Sequence, residues 1–408
     1  MKENNFDIVI VGNGLTAQIM CLVADHCNMS FINIQGKQKH SKRKKDSRAL
    51  ALTSSTINML TALGLEFNYQ KVTKMIVFEG GVSDIKIKSK VIFDAEDLEE
   101  NIAFIVEHSL IEEAIGGNLS LINKNIIKED VVQVINGSTF SRVILSSQEA
   151  VRAKIIIFTE RLDTTLQEFL QVKYNTFNYG QTAITATLEH SKKHQGHAYQ
   201  FFLNNGPLAL LPMEKKKEEN YTSLVWTEKT ENIDKILSAK GELERRLNEM
   251  CSNYLGDIKI FSEPKNFPLI KTKCKLIFFD RNILTGEAAR SMHPLAGQAW
   301  NQSLRDLAYI ADGLIESRKL GLDIISCPSI TAFQKKRKIE SDAFVDGVGF
   351  INDIFIANSS VAKGVRRNLM KAANGNFFLK KLILNEASGG ALDKPSLLME
   401  KPAGSKII

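Results

Sequence analysis

The sequence predicts an α/β protein in which nucleotide-binding-type units at the two ends of the chain bracket an inserted mixed sheet, followed by C-terminal helices. Three observations predict it. A short apolar run, Phe6-Asp7-Ile8-Val9-Ile10-Val11, leads directly into Gly12-Asn13-Gly14-Leu15-Thr16-Ala17. Alternating stretches fill the middle of the chain from Tyr179 to Thr227. A second glycine turn, Ile283-Leu284-Thr285-Gly286, then precedes a helical C-terminal part.

At 408 residues the chain exceeds one ordinary core and divides into two or three domains. With 44% apolar and 24% charged residues it is globular in composition, and no run is long enough to span a bilayer. Met1 to Asp7 lacks the pattern of a signal peptide, so export is not expected. Cys21, Cys27, Cys251, Cys274 and Cys327 are scattered without metal-ligand spacing and read as reduced thiols, with no metal site. Much of the +7 net charge lies in the run Lys37 to Lys45, a solvated loop or a neighbour of an anionic lipid or phosphate. No aromatic residue interleaves with it, so nucleic acid is not an expected partner.

From Phe6 the apolar run reads as a buried parallel strand, and Ile19, Met20, Leu22 and Val23 as the apolar positions of the helix after the turn. Ser30 to Ile34 is the next strand, ending at Gln35 and completing a βαβ unit. Asp46 to Leu65 predicts a strand or turn followed by an amphipathic helix. Lys74 to Phe78 and Ile85 to Phe93 read as strands, Glu107 to Ile115 as a helix, and Val131 to Phe158 as a β-meander. Gln181 to Leu188, Ala198 to Phe202, Leu208 to Leu211 and Thr222 to Trp226 are the strands of the inserted sheet. Leu304 to Leu320 and Ile330 to Phe355 are the clearest late helices, and the Gly-, Pro- and Lys-rich tail after Ser388 is expected to be mobile.

A dinucleotide turn needs one glycine for the bend, a second so that backbone can approach a pyrophosphate, and a small third residue so that helix packs on strand. Gly12, Gly14 and Ala17 supply these, and the N–H groups at the helix start then face phosphate oxygens. Such turns also occur where nothing binds. Gln35 stands where an acidic residue ordinarily accepts from ribose hydroxyls, which removes the charge-assisted part of that bond.

Further motifs narrow the reading. Asp46-Ser47-Arg48-Ala49-Leu50-Ala51-Leu52 follows the basic run. Tyr179-Gly180-Gln181-Thr182-Ala183, His197-Ala198-Tyr199-Gln200-Phe201-Phe202, Gly206-Pro207-Leu208-Ala209-Leu210-Leu211-Pro212 and Ser223-Leu224-Val225-Trp226-Thr227 fill the middle. Gly286-Glu287-Ala288-Ala289-Arg290-Ser291-Met292-His293-Pro294-Leu295-Ala296-Gly297-Gln298-Ala299-Trp300-Asn301 follows. From Phe6 to about Gly389 the chain resembles the ubiquinone-biosynthesis ring hydroxylases, flavin monooxygenases of the p-hydroxybenzoate hydroxylase type.

The resemblance implies a Rossmann-type FAD-binding domain with an inserted mixed-sheet substrate domain and C-terminal helices. It divides the chain into 1–75, 98–172 and 273–330 for FAD, 76–97 and 173–272 for substrate, a helical region 331–390 and a tail 391–408. It implies Gly12, Gly14, Ala17, Gln35, Arg48 and Glu160 along the flavin nucleotide, and Gly286 and Glu287 at the ribityl chain. Pro294, Gly297, Gln298, Ala299 and Asn301 would surround the reactive ring, with Gln181, Phe202, Pro207 and Leu211 on the substrate side. His293 reads as a local turn residue, and no catalytic acid or base is named. The chain departs from the family at Ala17, at Glu160-Arg161 for an Asp-Gly pair, and at Glu287, Arg290, Ala299 and Ser303 in the second motif.

The expected activity is hydroxylation of the aromatic ring of a polyprenylated phenol, with FAD as cofactor, NAD(P)H as a transient reductant and O2. The expected place is the cytoplasm, peripheral on the inner face of the membrane and beside other quinone-biosynthesis proteins. Phe377 to Leu384 is either interfacial or core. Two alternatives stay open, a non-catalytic scaffold subunit of such an assembly and another flavin oxidoreductase of the same fold.

Overall fold

The computed structural model describes residues 4–37, 48–79, 89–98, 101–117, 125–214, 219–239, 241–357, 359–375 and 394–399. The basic run beyond Lys37 and the stretch Phe377 to Leu384 lie outside the described residues.

The chain opens with β1 (Asn4–Val11), α1 (Leu15–His26) and β2 (Phe31–Ile34). It continues through β3 (Ala49–Leu52), α2 (Ser54–Ala62), β4 (Gln70–Val72), β5 (Lys74–Glu79), β6 (Ser89–Asp94), β7 (Ala103–Glu107) and α3 (His108–Gly116). Next come β8 (Ile126–Ile127), β9 (Val131–Ile135), β10 (Ser141–Leu145) and β11 (Ala150–Phe158). β12 (Tyr174–His190), β13 (His197–Leu203), β14 (Gly206–Pro212), β15 (Asn220–Lys229), α4 (Glu242–Leu255), β16 (Ile258–Ile260) and β17 (Lys265–Cys274) follow. The chain then runs through β18 (Phe278–Phe279), β19 (Asn282–Leu284), β20 (Arg290–Ser291), α5 (Ala299–Leu320), α6 (Pro328–Ile356) and α7 (Ser360–Gly375).

One sheet has the order β18-β19-β11-β1-β2-β8, with β10 and then β9 added beside β11. β1 runs parallel to both β2 and β11, and β11 runs parallel to β19. Ile8, Val9 and Ile10 are fully buried, as a strand covered on both faces requires. α1 and α5 pack in this core. A second sheet, β20-β17-β12-β15-β14-β13-β5-β6, is antiparallel apart from β5 and β13. Leu208, Leu210, Leu224 and Trp226 point from one face into a core closed by Leu243, Leu247, Cys251 and Leu255 of α4. β3, β7 and β4 form a small third sheet. No described helix is long and apolar enough to cross a membrane.

Several expectations need correction. The expected boundaries at 75/76, 272/273 and 330/331 fall inside β5, β17 and α6. β20, placed by sequence in the nucleotide unit, pairs with β17 of the second sheet. The tail is anchored at Ser396, whose N–H and hydroxyl bond Asp312, and Leu397 and Leu398 are buried in the main core. Averaging composition over the tail hid that leucine pair.

Candidate active site

Three strand ends meet at one place. A Cβ on Gly12, whose φ is +147°, would stand 2.1 Å from Thr159 Oγ1, just past β11. A Cβ on Gly286, at φ +59°, would stand 2.7 Å from the Thr159 carbonyl oxygen and 3.3 Å from Thr16 Cγ2. Both positions therefore need glycine, because the backbone is left-handed and the neighbouring turns touch. The same Gly12 Cβ would lie 3.5 Å from Ala17 Cβ, so the third position of the turn must stay small. Glu287, exposed, donates its N–H to Thr159 O at 3.1 Å. Gly12, Gly14, Ala17, Glu160, Gly286 and Glu287 are thus gathered at the C-terminal ends of parallel strands, where open α/β sheets accept ligands.

The Glu160 carboxylate accepts from the N–H groups of Asn13 (2.7 Å) and Gly14 (2.8 Å). It occupies the bend itself and leaves the first N–H groups of α1, at Leu15, Thr16 and Ala17, with no acceptor within the helix. Those three donors, at the positive end of the helix dipole, can take an anion. Arg161, where the family pattern has glycine, is not at positive φ, and its guanidinium lies 5.1 Å from the centroid of the Tyr174 ring.

Gln35 follows β2 and is oriented by Asn33, a residue sequence reasoning passed over. Asn33 is fully buried, and its Nδ2 donates to Ile10 O (3.2 Å) and Gly12 O (2.9 Å), which fixes Oδ1 toward Gln35 Nε2 at 2.8 Å. A polar residue within Phe31-Ile32-Asn33-Ile34 was the available signal. The relay turns the Gln35 amide so that its carbonyl oxygen is left to accept from a hydroxyl. Gln35→Glu would set a carboxylate against Asn33 Oδ1, which cannot turn away. The substitution is expected to weaken dinucleotide binding several-fold and to cost about 1 kcal/mol of stability, checked by titration and thermal melting.

The second turn is built by side chains acting on backbone. His293 Nδ1 accepts from Leu295 N–H at 3.2 Å and caps the short 3-10 turn Pro294–Ala296, which ends at Gly297 with φ +59°. A Cβ on Gly297 would lie 3.1 Å from Ala51 Cβ of β3, and Arg48, exposed, precedes that strand and accepts His108 N–H through its carbonyl. The Asn301 side chain is fully engaged: Nδ2 donates to Ala51 O (2.8 Å) and Gln298 Oε1 (3.1 Å), and Oδ1 accepts from Thr53 N–H (3.2 Å) and the Thr56 hydroxyl (2.7 Å). Asn301 and Gln298 tie α5 to β3 and α2, so from this turn a ring would meet backbone groups. Ala299 opens α5 with no positive φ, so glycine is not required there.

Under α5 lies a buried ionic cluster invisible in the motifs. Asp306, fully buried, accepts from Arg290 at 2.7 Å, Arg337 at 3.0 Å and the Thr285 hydroxyl at 3.2 Å. Arg337 reaches on to Glu340 and Gln302. Arg290 thereby joins the second turn to α5 and, through Asp306, to α6.

The other face of the second sheet is covered by α6. β13 and β14 pair Phe202 with Pro207, and Gln200 with Ala209, while Leu211 lies opposite Ser223. Phe202 stacks on Phe355 of α6 with centroids 3.6 Å apart, and Leu295 of the second turn packs into the same cluster. Leu211 belongs instead to a cluster with Ala49 and Ala51 of β3. At a bulge in β12, between Asn178 and Thr182, Gln181 bonds Asn205 O and receives Asn352 Nδ2 at 3.2 Å. Tyr179, on the same bulge, lies edge-on to His293 with centroids 5.2 Å apart. A Cβ on Gly349, one turn before Asn352, would be 3.2 Å from the Tyr179 hydroxyl.

Three polar atoms at this junction are buried without a partner among the described residues: Tyr179 Oη, His293 Nε2 and Asn352 Oδ1. Burial lowers the His293 pKa to about 4, so the ring is neutral, and since Nδ1 accepts, Nε2 carries the proton. Burial, followed by the nearby Asp353 and Asp346 charges, raises the Tyr179 phenol to about 12 and keeps it protonated. The junction therefore offers one hydroxyl, one N–H donor and one amide acceptor beside the stacked phenylalanines.

Residues 37–319 match a family described as "FAD binding domain". The chain is 28% identical over 330 residues to "Ubiquinone hydroxylase UbiL" of Rhodospirillum rubrum, covering 78% of this chain and 74% of that one. It is 21% identical over 401 residues to the 3-demethoxyubiquinol 3-hydroxylase of Escherichia coli, covering 95% and 100%. Among solved structures, the p-nitrophenol 4-monooxygenase PnpA of Pseudomonas putida superposes with a TM-score of 0.73 at 14% identity, covering 95% of this chain and 99% of that one.

Proposed function

The chain belongs to the FAD binding domain family, and from that premise we propose that it is an FAD-dependent monooxygenase hydroxylating the aromatic ring of a polyprenylated phenol in ubiquinone biosynthesis. NAD(P)H is the electron donor and O2 the oxygen source. The observation that carries the reading is the meeting of Gly12, Thr159 and Gly286 at the strand ends, beside a sheet face that offers ring-stacking and unpartnered polar groups.

The residues fit the cofactor. Gly12 and Gly286 hold space that a Cβ would fill, the free N–H groups at the start of α1 suit a pyrophosphate, and Gln35 presents an acceptor to ribose. Glu287, exposed beside the turn, would hold a ribityl hydroxyl. Backbone N–H groups of the stretch Pro294 to Ala299 would face the pyrimidine edge and stabilise negative charge there. Bound FAD supplies the electron transfer and oxygen activation. The protein's own contribution is position and dryness: Phe202, Phe355 and Leu295 exclude water, and Tyr179, His293 and Asn352 receive the ring oxygens. A substrate with a polyprenyl tail also places the enzyme at a membrane surface on the cytoplasmic side, beside the enzymes that precede and follow it.

Purified protein is expected to be yellow and to oxidise NAD(P)H on addition of a prenylphenol, with oxygen from labelled O2 in the product. A colourless protein that added FAD does not saturate would favour the scaffold alternative, and oxidation without hydroxylated product would favour another flavin oxidoreductase. Tyr179→Phe removes a hydroxyl that has no partner among the described residues. It is expected to leave FAD content and melting temperature unchanged while weakening prenylphenol binding roughly five- to tenfold, measured by the perturbation of flavin absorbance.

A further inference from the structure

An amide carries a donor and an acceptor on one flat group, and which of them meets a ligand depends on what pins the other. Where β12 meets α6, the pin starts at backbone. The Asn205 carbonyl accepts from Gln181 Nε2 at 2.7 Å. A carbonyl can only accept, so Gln181 turns Oε1 to its other side, and Oε1 accepts from Asn352 Nδ2 at 3.2 Å. Asn352 is thereby left with Oδ1 as its unused atom, buried and without a partner among the described residues. Gly206 makes room for this relay, since a Cβ there would stand 2.9 Å from Gln181 Nε2.

His293 supplies the complementary group. Its Nδ1 is taken up by Leu295 N–H, so Nε2 is a donor, and burial keeps the ring neutral. A ring oxygen set between the two must donate to Asn352 Oδ1 and accept from His293 Nε2–H. A neutral hydroxyl does both, whereas a phenolate and an aryl ether have no hydrogen for Oδ1. The surrounding charges favour the same form. Among the described residues around the junction, each cation already holds a carboxylate. Lys271 and Lys273 of β17 share Asp346 of α6 at 3.4 and 2.8 Å, Arg290 of β20 holds Asp306 at 2.7 Å, and Arg366 of α7 lies 3.5 Å from Glu79 of β5. Asp353 of α6 adds negative charge that is felt at Tyr179. An anion bound here would be desolvated against an amide oxygen, with no cation left over to pair it.

We infer that the junction selects a neutral phenol hydroxyl: Asn352 Oδ1 accepts its hydrogen, His293 Nε2–H donates to its oxygen, and Gln181 is the positioning residue that holds the Asn352 amide in this orientation. This assignment rests on the proposed reading of the junction as the seat of the substrate ring, and adds to it the protonation state in which that ring is held. Gln181 itself touches no substrate and acts through Asn352.

The test is calorimetric titration of the full-length protein, with and without added FAD, using three ligands: 2-prenylphenol, its methyl ether, and a ring-fluorinated 2-prenylphenol that ionises near neutral pH. His293, at about 4, and Tyr179, at about 12, do not titrate there. The fluorinated phenol is expected to bind the wild type about tenfold more weakly for each pH unit above its own pKa, with a proton taken up from the buffer as it binds. The methyl ether is expected to bind about tenfold or more below the parent phenol, because it leaves Oδ1 unpaired. Gln181→Leu lets the Asn352 amide turn, and is expected to flatten the pH dependence, whereas a loss of packing alone would lower affinity equally at every pH. The wild-type ligand series stands without that variant should it fold poorly. Calorimetry reads binding whether or not product forms, so a protein that selects the neutral phenol and hydroxylates nothing would fail the proposed reaction and not this assignment. The assignment is overturned if the affinity for the fluorinated phenol stays level or rises with pH, if the methyl ether binds as tightly as the phenol, or if the wild type binds no phenol. A Gln181→Leu protein with the wild-type pH profile would overturn the relay.

Discussion

Gly12→Ala is expected to yield a colourless protein. The added methyl group would stand 2.1 Å from Thr159 Oγ1, and alanine would have to hold φ at +147°. The second demand alone costs on the order of 1–3 kcal/mol, and the overlap adds to it unless Thr159, which follows β11 and bonds Val11 O, moves. If the turn moves instead, the N–H groups at the start of α1 lose their aim. We expect a loss of about 3 kcal/mol or more in stability and at least a hundredfold in FAD affinity, read from thermal melts and flavin content. Thr159→Ala in the same chain removes the hydroxyl but leaves the backbone demand. It should restore part of the stability and little of the affinity, and full rescue of both would show that crowding alone had caused the defect.

Asp306→Ala is the second large effect. The substitution strips the carboxylate from between Arg290 and Arg337, both buried, and leaves two cations without their shared partner. Breaking such a cluster from one side costs about 3–5 kcal/mol, since the remaining charges stay out of water unpaired. Arg337 retains Glu340 and Gln302, whereas the Arg290 side chain has no other hydrogen bond among the described residues and already has one buried nitrogen without a partner there. The damage should therefore centre on the second turn. Flavin content should fall together with the melting temperature, and an Asp306→Ala protein that melts like the wild type would refute the account.

How much of this was legible depends on how local the cause is. The βαβ unit and the meander could be read because a strand buried on both faces is apolar at nearly every position, and a glycine turn is punctuation. The meeting of Gly12 with Gly286 was implied only by family resemblance, since 274 positions separate the two turns and the Thr159 backbone between them carries no motif. The Asn33 relay had a local signal, one amide in an apolar strand. Asp306 had none, because its partners come from a two-residue strand and a helix far along the chain. His293 was read as a turn residue, and Nδ1 does cap a turn; the role of the other nitrogen depends on burial, which spacing cannot show. Asn301 and Gln298 illustrate the opposite error, in which residues of a motif are spent on holding the backbone in place.

β1, the central strand of the first sheet, pairs with β2 at 31–34 and with β11 at 150–158, yet the core around it is closed by residues as late as Leu397 and Leu398. A ribosome making this protein N-terminus first has supplied both strand partners of β1 by residue 158, but must go on past residue 398 before the core around them is closed. The second sheet, most of whose strands lie between residues 174 and 274, can assemble earlier. Ile8, Val9 and Ile10 of β1 therefore wait for their last cover while the second sheet takes shape. Capture of the flavin, which also needs the turn at Gly286, becomes one of the later events in the life of the nascent chain, and loss of Leu397 and Leu398 should be felt first at α2 and α5, against which they pack.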